Sequence, residues 1–149
     1  GRVTAIERSD FVLFNIYFPN GGERADGTEM LSYKLKFYQD YQQEVQRLIK
    51  TGKKVITTGD FNICHRPIDI ARPKENKTQS DFFLLKEGNP ELTDKYTWWS
   101  YRAGARPRNV GWRLDYFRVS KNMKDQIGKM LHYDQVLGSD HCPIGLELI

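Results

Sequence analysis

An α/β fold is predicted from two strand-like runs and the helix-like segment between them. Residues 11–17 and 55–58 are rich in β-branched and aromatic side chains, which is typical of strands. From residue 32 to residue 50, apolar side chains recur at steps of three and four, the spacing of one helical face. A helix followed directly by a strand is typical of helices layered on a sheet. The length of 149 residues predicts one domain, residues 1–149.

The N-terminal residues predict a β-hairpin, because residues 3–7 and 11–17 both resemble strands and a short turn separates them. Pro19 and the glycines after it end the second strand. The helix is predicted to end at Gly52, in the left-handed conformation that commonly closes helices. Its apolar face is predicted to contain Leu31, Leu35, Tyr38, Tyr41, Val45, Leu48 and Ile49.

The second half of the chain predicts shorter elements. Residues 64–80 are polar and favour a long loop, residues 81–85 favour a short helix, and residues 123–129 favour one or two helical turns. Two further strands are predicted at residues 113–119 and 143–148.

Composition restricts the class of protein. The 23 Lys and Arg residues exceed the 19 Asp and Glu residues, and the net charge of +4 is compatible with a polyanionic partner without requiring one. Cys64 and Cys142 lack the spacing of a zinc site, so two reduced thiols in an intracellular protein are expected. No apolar run approaches the roughly 20 residues of a membrane-spanning helix, so no membrane partner is expected.

Asp60 and Asn62 follow the predicted strand at residues 55–58. Because side chains alternate along a strand, they share one side, and Phe61 faces the core. In a phosphoryl-transfer site, Asp60 would take a proton from water and Asn62 would fix that water or a phosphate oxygen. The alternative is a side chain that caps its own turn, which is the commoner role of Asp-x-Asn after a strand.

Asp140 and His141 precede the predicted strand at residues 143–148. A histidine that donates a hydrogen bond or carries charge can stabilise a phosphate transition state. Asp115 lies in a strand predicted to be buried, where an acid needs a partner, so it is the natural residue to orient His141. Together with Asp60, these acids predict metal-assisted phosphoryl chemistry. The alternative is a structural Asp–His hydrogen bond.

Aromatic and basic residues alternate in the second half of the chain. Trp98, Trp99 and Trp112 are either core residues or, with nearby arginines, part of a nucleic-acid groove. Tyr17, at the end of a predicted strand, either donates to a phosphate or packs. The arginines of the groove hypothesis are Arg102, Arg106, Arg108 and Arg113.

Several segments carry a family resemblance. GDFN at residues 59–62 and SDHCP at residues 139–143 occur among metal-dependent phosphoesterases, whereas YTWWSY at 96–101 and NVGWRLDY at 109–116 are narrower. With NIYFPNG and IDIARPK, near residues 15 and 68, they follow one order over nearly the whole chain. The chain therefore resembles the exonuclease III family of AP endonucleases, within the endonuclease/exonuclease/phosphatase superfamily.

The resemblance implies a role for each matching site residue. Tyr17 and His141 would contact the scissile phosphate. Asp60 would handle the attacking water or the leaving oxygen, and Asn62 would position the phosphate. Asp115 would orient His141.

The resemblance also implies a metal and a DNA pocket. Asp140 would contribute to a Mg²⁺ site, with Mn²⁺ as the other candidate ion, and Asp60 and Asn62 are further candidate ligands. Mg²⁺ prefers octahedral oxygen ligands, so Asp140 alone would be a weak site. The pocket for an abasic sugar and its flanking DNA would be lined by Trp98, Trp112, Leu114, Arg108 and Asn109.

The implied fold is a partial four-layer α/β sandwich of the DNase I-like type. The family's metal-binding glutamate lies in an N-terminal half that has no counterpart in this sequence. After Ser80 the family usually has a helix that this sequence lacks. We therefore expect this chain to correspond to the C-terminal portion, with the missing N-terminal half as one partner and no oligomer.

The function implied is Mg²⁺-dependent hydrolysis of double-stranded DNA at abasic sites and 3′ ends, in the cytoplasm (nucleoid) or nucleus. One alternative is a lipid or inositol phosphatase of the same superfamily, against which the aromatic and arginine-rich segment argues. The other is a catalytically silent DNA-binding fragment.

Overall fold

The computed structural model describes residues 1–72 and 94–149, which form two compact units. The first unit contains Gly1–Asn62, Tyr116–Ile127 and Ile149, and the second contains Ile63–Asp115 and Gly128–Leu148. The helix predicted at residues 81–85 and the end of the polar loop, from residue 73, lie outside the described residues. The single domain expected from the length remains a prediction.

A four-stranded sheet organises the first unit. Its strands β1 (Val3–Glu7), β2 (Phe11–Ile16), β3 (Lys54–Asp60) and β4 (Asp115–Val119) lie in that order. β1 and β2 are antiparallel, with Val3 opposite Ile16, so the predicted hairpin is confirmed. β2 and β3 are parallel, with Val12 opposite Val55. Parallel neighbours require a crossover, and the helix between them provides it.

The helix α1 spans Leu31–Lys50, within one residue of its predicted bounds. Beyond Lys50, the Gly52 N–H donates to the Ile49 carbonyl and the Lys53 N–H donates to the Leu48 carbonyl. This pair of bonds defines a Schellman cap, and the left-handed φ of 84° at Gly52 is the conformation that it needs. The predicted helix end is therefore confirmed.

The first unit's core lies between α1 and one face of the sheet. β2 alternates, with Val12, Phe14 and Ile16 buried and Asn15 exposed. On α1, three residues of the predicted apolar face, Leu31, Leu35 and Ile49, are each at least 40% exposed. The residues of the helix that contact this core are Phe37, Tyr38, Tyr41, Val45 and Leu48.

A two-stranded sheet of β5 (Ile127–His132) and β6 (Ile144–Leu148) lies almost wholly in the second unit. The helical turns predicted at residues 123–129 are only partly correct. A 3₁₀ helix spans Lys121–Gln126, but Ile127 begins β5, because pairing with β6 overrides the local helical pattern. Short 3₁₀ helices also span Pro67–Asp69 and Arg102–Gly104. Among the described residues, no helix has the length and apolar character needed to cross a bilayer.

Candidate active-site residues

Asp115 and His141 form a hydrogen-bonded pair in the second unit. The Nδ1 atom of His141 lies 2.8 Å from Oδ2 of Asp115. The Asp115 side chain is 14% exposed and that of His141 is 30% exposed, so the carboxylate is shielded while part of the ring reaches solvent. A carboxylate bonded to Nδ1 fixes the orientation and the tautomer of an imidazole. The predicted contact between these residues is therefore present.

Thr97 hydrogen-bonds to the backbone at Asp115 and to the backbone of the residue after His141. Its Oγ1 atom accepts the N–H of Leu114 at 3.0 Å and the N–H of Asp115 at 3.1 Å. Its carbonyl accepts the N–H of Cys142, the residue after His141, at 2.8 Å. Thr97 is completely buried. Sequence reasoning did not single out Thr97, because a small polar residue between aromatic residues has no specific signal.

Asp140 is held by neighbours on both carboxylate oxygens. Trp98 donates its indole N–H to Oδ2 at 3.0 Å, and the Ser139 hydroxyl donates to Oδ1 at 3.3 Å. The same hydroxyl accepts the backbone N–H of His141 at 3.1 Å. The segment that carries Asp140 and His141 is therefore fixed by its own side chains as well as by Thr97.

Three of the residues predicted to line the DNA pocket, Trp98, Trp112 and Leu114, fall into one cluster. The rings of Trp98 and Trp112 meet edge to face, with centroids 5.5 Å apart. Both pack against buried Leu114, Cys64 and Ile70. Each tryptophan is only partly buried, so an aromatic surface backed by aliphatic side chains stands beside Asp140. Its role as a sugar pocket remains a prediction.

Asp60 and Asn62 are joined in the first unit. Oδ1 of Asp60 accepts the Asn62 backbone N–H at 2.8 Å, and Oδ2 accepts the Asn62 side-chain amide at 3.1 Å. The same amide donates to the Phe18 carbonyl at 2.9 Å, and Asn62 has a left-handed φ of 50°. Phe61 is buried in the core, so the predicted alternation is confirmed. Asp60 therefore caps its own turn, which is compatible with either interpretation of this motif.

Tyr17 and Lys34 lie near this turn. Tyr17 follows β2 and is 53% exposed, with the Arg2 guanidinium 4.6 Å from its ring centroid. The next residue, Phe18, donates its N–H to the Asp60 carbonyl at 2.8 Å. Lys34 on α1 donates to the Asn62 carbonyl at 2.8 Å. Lys34 was not predicted, since nothing in the helical pattern distinguishes it from other exposed lysines.

The predicted DNA contacts separate into exposed and internal residues. Arg102 and Arg108 are exposed. Arg113 is buried and pairs with Asp69 at 3.0 Å. Burial raises the pKa of Asp69, and the Arg113 charge opposes that rise. Arg113 therefore forms a buried ion pair and is not positioned on a DNA-binding surface. The groove hypothesis was wrong for this residue.

Asn109 has structural partners on both side-chain atoms. It accepts the Trp99 indole N–H at 3.1 Å and donates to the Asp94 carbonyl at 2.9 Å. Its predicted contact with DNA, like that of Arg108, stays a prediction.

The thiol of Cys142 is unsuited to nucleophilic catalysis. Burial, followed by the negative charge of Asp115, raises its pKa to about 11. Cys64 and Cys142 are both free thiols, as the sequence predicted, and both are buried. A protonated thiol is a poor nucleophile. The Asp115–His141 pair, rather than a thiolate, therefore remains the candidate for a catalytic role in this unit.

The described residues contain no cluster of three metal-ligating side chains. In residues 1–72 and 94–149, no three His, Cys, Asp or Glu side chains approach closely enough to hold an ion. Asp60 and Asp140 each have both oxygens engaged by hydrogen-bond donors. The predicted Mg²⁺ ligands Asp140, Asp60 and Asn62 therefore remain a prediction.

Comparison with known proteins extends over nearly the whole chain. A model of the Endonuclease/Exonuclease/phosphatase family matches residues 2–141. A DNA-(apurinic or apyrimidinic site) endonuclease of Dictyostelium discoideum is 41% identical over 98% of this chain and 45% of its own length. An exodeoxyribonuclease of Bacillus subtilis (strain 168) is 36% identical over 98% of this chain and 63% of its own length. The chain thus spans about half of the relatives that it matches.

A solved structure of a 3′-5′ exonuclease from Neisseria meningitidis shares the fold. It aligns with a TM-score of 0.82 over 99% of this chain and 64% of its own, at 24% sequence identity. The predicted α/β fold, as a part of that larger fold, is therefore confirmed.

Proposed function

Because the chain belongs to the endonuclease/exonuclease/phosphatase family, we propose that it hydrolyses DNA phosphodiesters at abasic sites and at 3′ ends. The observation that carries this proposal is the 2.8 Å bond between Asp115 and His141. Relatives named as an abasic-site endonuclease and an exodeoxyribonuclease support DNA as the substrate.

His141 is proposed to stabilise the charge that develops on the scissile phosphate. Asp115, whose side chain is shielded from solvent, orients the ring through Nδ1. A preorganised donor aimed at a developing negative charge lowers the barrier without rearrangement at the moment of reaction.

Asp60, Asn62 and Tyr17 are proposed to act on the water and the phosphate. Asp60 takes the proton of the attacking water, while the amide of Asn62 and the exposed hydroxyl of Tyr17 position phosphate oxygens. The Asp60–Asn62 bonds support this proposal because they preorganise both polar groups. For this role, the amide exchanges a bond to Asp60 for one to the substrate.

The substrate is proposed to be recognised by shape and charge. The partly buried rings of Trp98 and Trp112, backed by Leu114, offer a surface for a flipped deoxyribose without a base. Exposed Arg108 supplies charge for the flanking phosphates, with Asn109 beside it.

The cofactor, partner and location are proposed with this function. Mg²⁺, or Mn²⁺ in its place, is the proposed cofactor, with Asp140, Asp60 and Asn62 as the residues that would hold it. A polypeptide equivalent to the unmatched part of the relatives is the proposed protein partner. DNA repair places the protein in the cytoplasm (nucleoid) or nucleus.

A substrate panel tests the proposal. The chain is incubated with Mg²⁺, or with a chelator, and with a labelled duplex containing one abasic analogue, a 3′-phosphate duplex, an inositol phosphate or a phosphoinositide. Each reaction is repeated with the unmatched segment of the Bacillus subtilis relative added. We expect Mg²⁺-dependent cleavage of the DNA substrates alone. Release of phosphate from the inositol compounds, or salt-dependent DNA binding without cleavage in every reaction, would contradict it.

A further inference from the structure

The Arg106 side chain hydrogen-bonds to backbone carbonyls within the second unit. Its Nη1 donates to the Ser139 carbonyl at 2.8 Å, and its Nη2 donates to the carbonyls of Asp134 at 2.9 Å and Val136 at 2.6 Å. Its guanidinium carbon lies 4.6 Å from the ring centroid of Trp99, within cation–π range. Its Nε atom is buried. One side chain thus binds three backbone carbonyls of a single loop.

That loop, residues 134–139, leads directly to the proposed active-site pair. Its members from Gln135 to Ser139 are exposed, and Leu137 is 76% exposed, so packing contributes little to its order. Ordering exposed backbone costs conformational entropy at every residue. The three bonds from Arg106 offset part of that cost.

Ser139 connects the loop to His141. Its carbonyl accepts from Arg106, and its hydroxyl accepts the His141 N–H at 3.1 Å. His141 in turn bonds Asp115. Displacement of Ser139 would therefore move the peptide that carries the imidazole, and an error of about 1 Å in a reacting group can cost about 100-fold in rate.

We propose that Arg106 is a positioning residue for the Asp115–His141 pair and does not bind DNA phosphate. This role rests on the proposed function, and it differs from the groove hypothesis for the same residue. Lysine cannot replace arginine here, because a single ammonium cannot reproduce the planar donor geometry and stacking of a guanidinium. A phosphate-binding arginine, in contrast, tolerates lysine as a point charge.

The kinetic test compares Arg106→Lys with Arg47→Lys, a charge-conserving change at an exposed helix position. Abasic-duplex cleavage is measured below the unfolding temperature of each variant, with the segment of the relative added if wild type requires it. We expect kcat to fall at least about tenfold in Arg106→Lys with KM within about twofold, and no change in Arg47→Lys. An unchanged kcat in Arg106→Lys overturns the proposal.

The binding test compares Arg106→Gln with Arg108→Gln. Each lost phosphate contact lowers the slope of log affinity against log salt by about 0.9. We expect that reduction in Arg108→Gln and an unchanged slope in Arg106→Gln. A reduced slope in Arg106→Gln overturns the proposal. If Arg106→Gln does not fold, Arg106→Lys is used, and a loss of kcat without a loss of affinity supports it.

Histidine NMR keeps this inference separate from the proposed function. The chain has three histidines, so the low-field Nδ1–H signal of His141 is assigned by its loss in His141→Gln. We expect folded Arg106→Lys to lose or shift this signal and Arg47→Lys to retain it. An unchanged signal overturns the positioning role. If wild type cleaves no DNA, the proposed function fails, and this spectrum still decides the role of Arg106.

Discussion

Thr97 accepts the backbone N–H of Asp115 through its side-chain oxygen at 3.1 Å, and the same oxygen accepts the N–H of Leu114. A buried hydroxyl thus holds the start of β4, where the acid that orients His141 is located. These two bonds give a specific prediction for the substitution of Thr97, although Thr97 contacts no reacting atom.

Replacement Thr97→Val removes the acceptor while keeping the shape. Two buried N–H groups lose their partner, so we expect a loss of about 1–3 kcal/mol in the free energy of unfolding and a lower kcat. Thr97→Ser keeps the hydroxyl and should retain most of both. Urea unfolding and single-turnover cleavage measure the two effects. Equal behaviour of the serine and valine variants would show that the hydroxyl does not matter.

The buried pair of Asp69 and Arg113 predicts an asymmetric effect of mutation. Arg113 also donates to the Lys95 carbonyl at 2.7 Å, and Asp69 accepts the Arg66 N–H at 2.8 Å. Arg113→Met leaves a buried carboxylate without its cation, so we expect a loss of about 3–5 kcal/mol in unfolding free energy. The double variant with Asp69→Leu should be more stable than Arg113→Met alone. Urea unfolding at pH 7 measures the stability of the single and double variants. A double variant whose loss equals the sum of the two single losses would contradict this account.

Gly111 predicts a steric effect beside the aromatic cluster. A Cβ atom there would lie 2.5 Å from Nε1 of Trp99 and 2.7 Å from the Trp98 carbonyl oxygen. We expect Gly111→Ala to cost about 1–3 kcal/mol, as overpacking commonly does. Gly22→Ala, whose Cβ would meet its nearest atom at 3.5 Å, is the matched control. Thermal unfolding compares the two, and equal transition temperatures would contradict the clash.

Cys142 predicts a loss of stability at alkaline pH. Burial raises its pKa in the folded protein from 9.0 to about 11, whereas the unfolded thiol keeps its ordinary value. Folding therefore favours the protonated form. Its contribution is complete below pH 9 and declines as the pH rises to about 11.

The measurement is unfolding free energy from pH 8 to pH 11 in the Cys64→Ala background, so that only one thiol titrates. We expect the decline to be smaller in the variant that also carries Cys142→Ala. The folded thiol should react slowly with a disulfide reagent at pH 8. Rapid reaction, or identical pH profiles, would refute the assigned protonation state.

The helix α1 and the β1–β2 hairpin were predictable from local patterns, whereas β5 was not. The period of α1 and the glycine after it gave bounds within one residue. The same period put Leu31 and Leu35 on the apolar face, but it did not indicate that both side chains are 46% exposed. β5 was missed because its partner β6 lies 12 residues further along the chain, counted from His132 to Ile144, and short segments carry weak local signals.

The acids and the imidazole of the site were predictable, whereas their supports were not. Asp115 and His141 were paired because a buried acid needs a partner. Thr97 and Arg106 act through backbone atoms, and a sequence gives no direct indication of which backbone groups a side chain will reach. Arg106 and Arg113 are basic residues in an aromatic segment, which in sequence is indistinguishable from a DNA-binding surface.

The central claim is that Asp115 and His141 act as one unit in the cleavage of a DNA phosphodiester. A double-mutant cycle on single-turnover cleavage of an abasic duplex tests it, with Asp115→Asn, His141→Gln and both together. We expect each single variant to lose about 10²–10⁴-fold in rate and the double variant to lose little more than the worse single one. Losses that multiply, or a wild-type rate in either single variant, would contradict the claim.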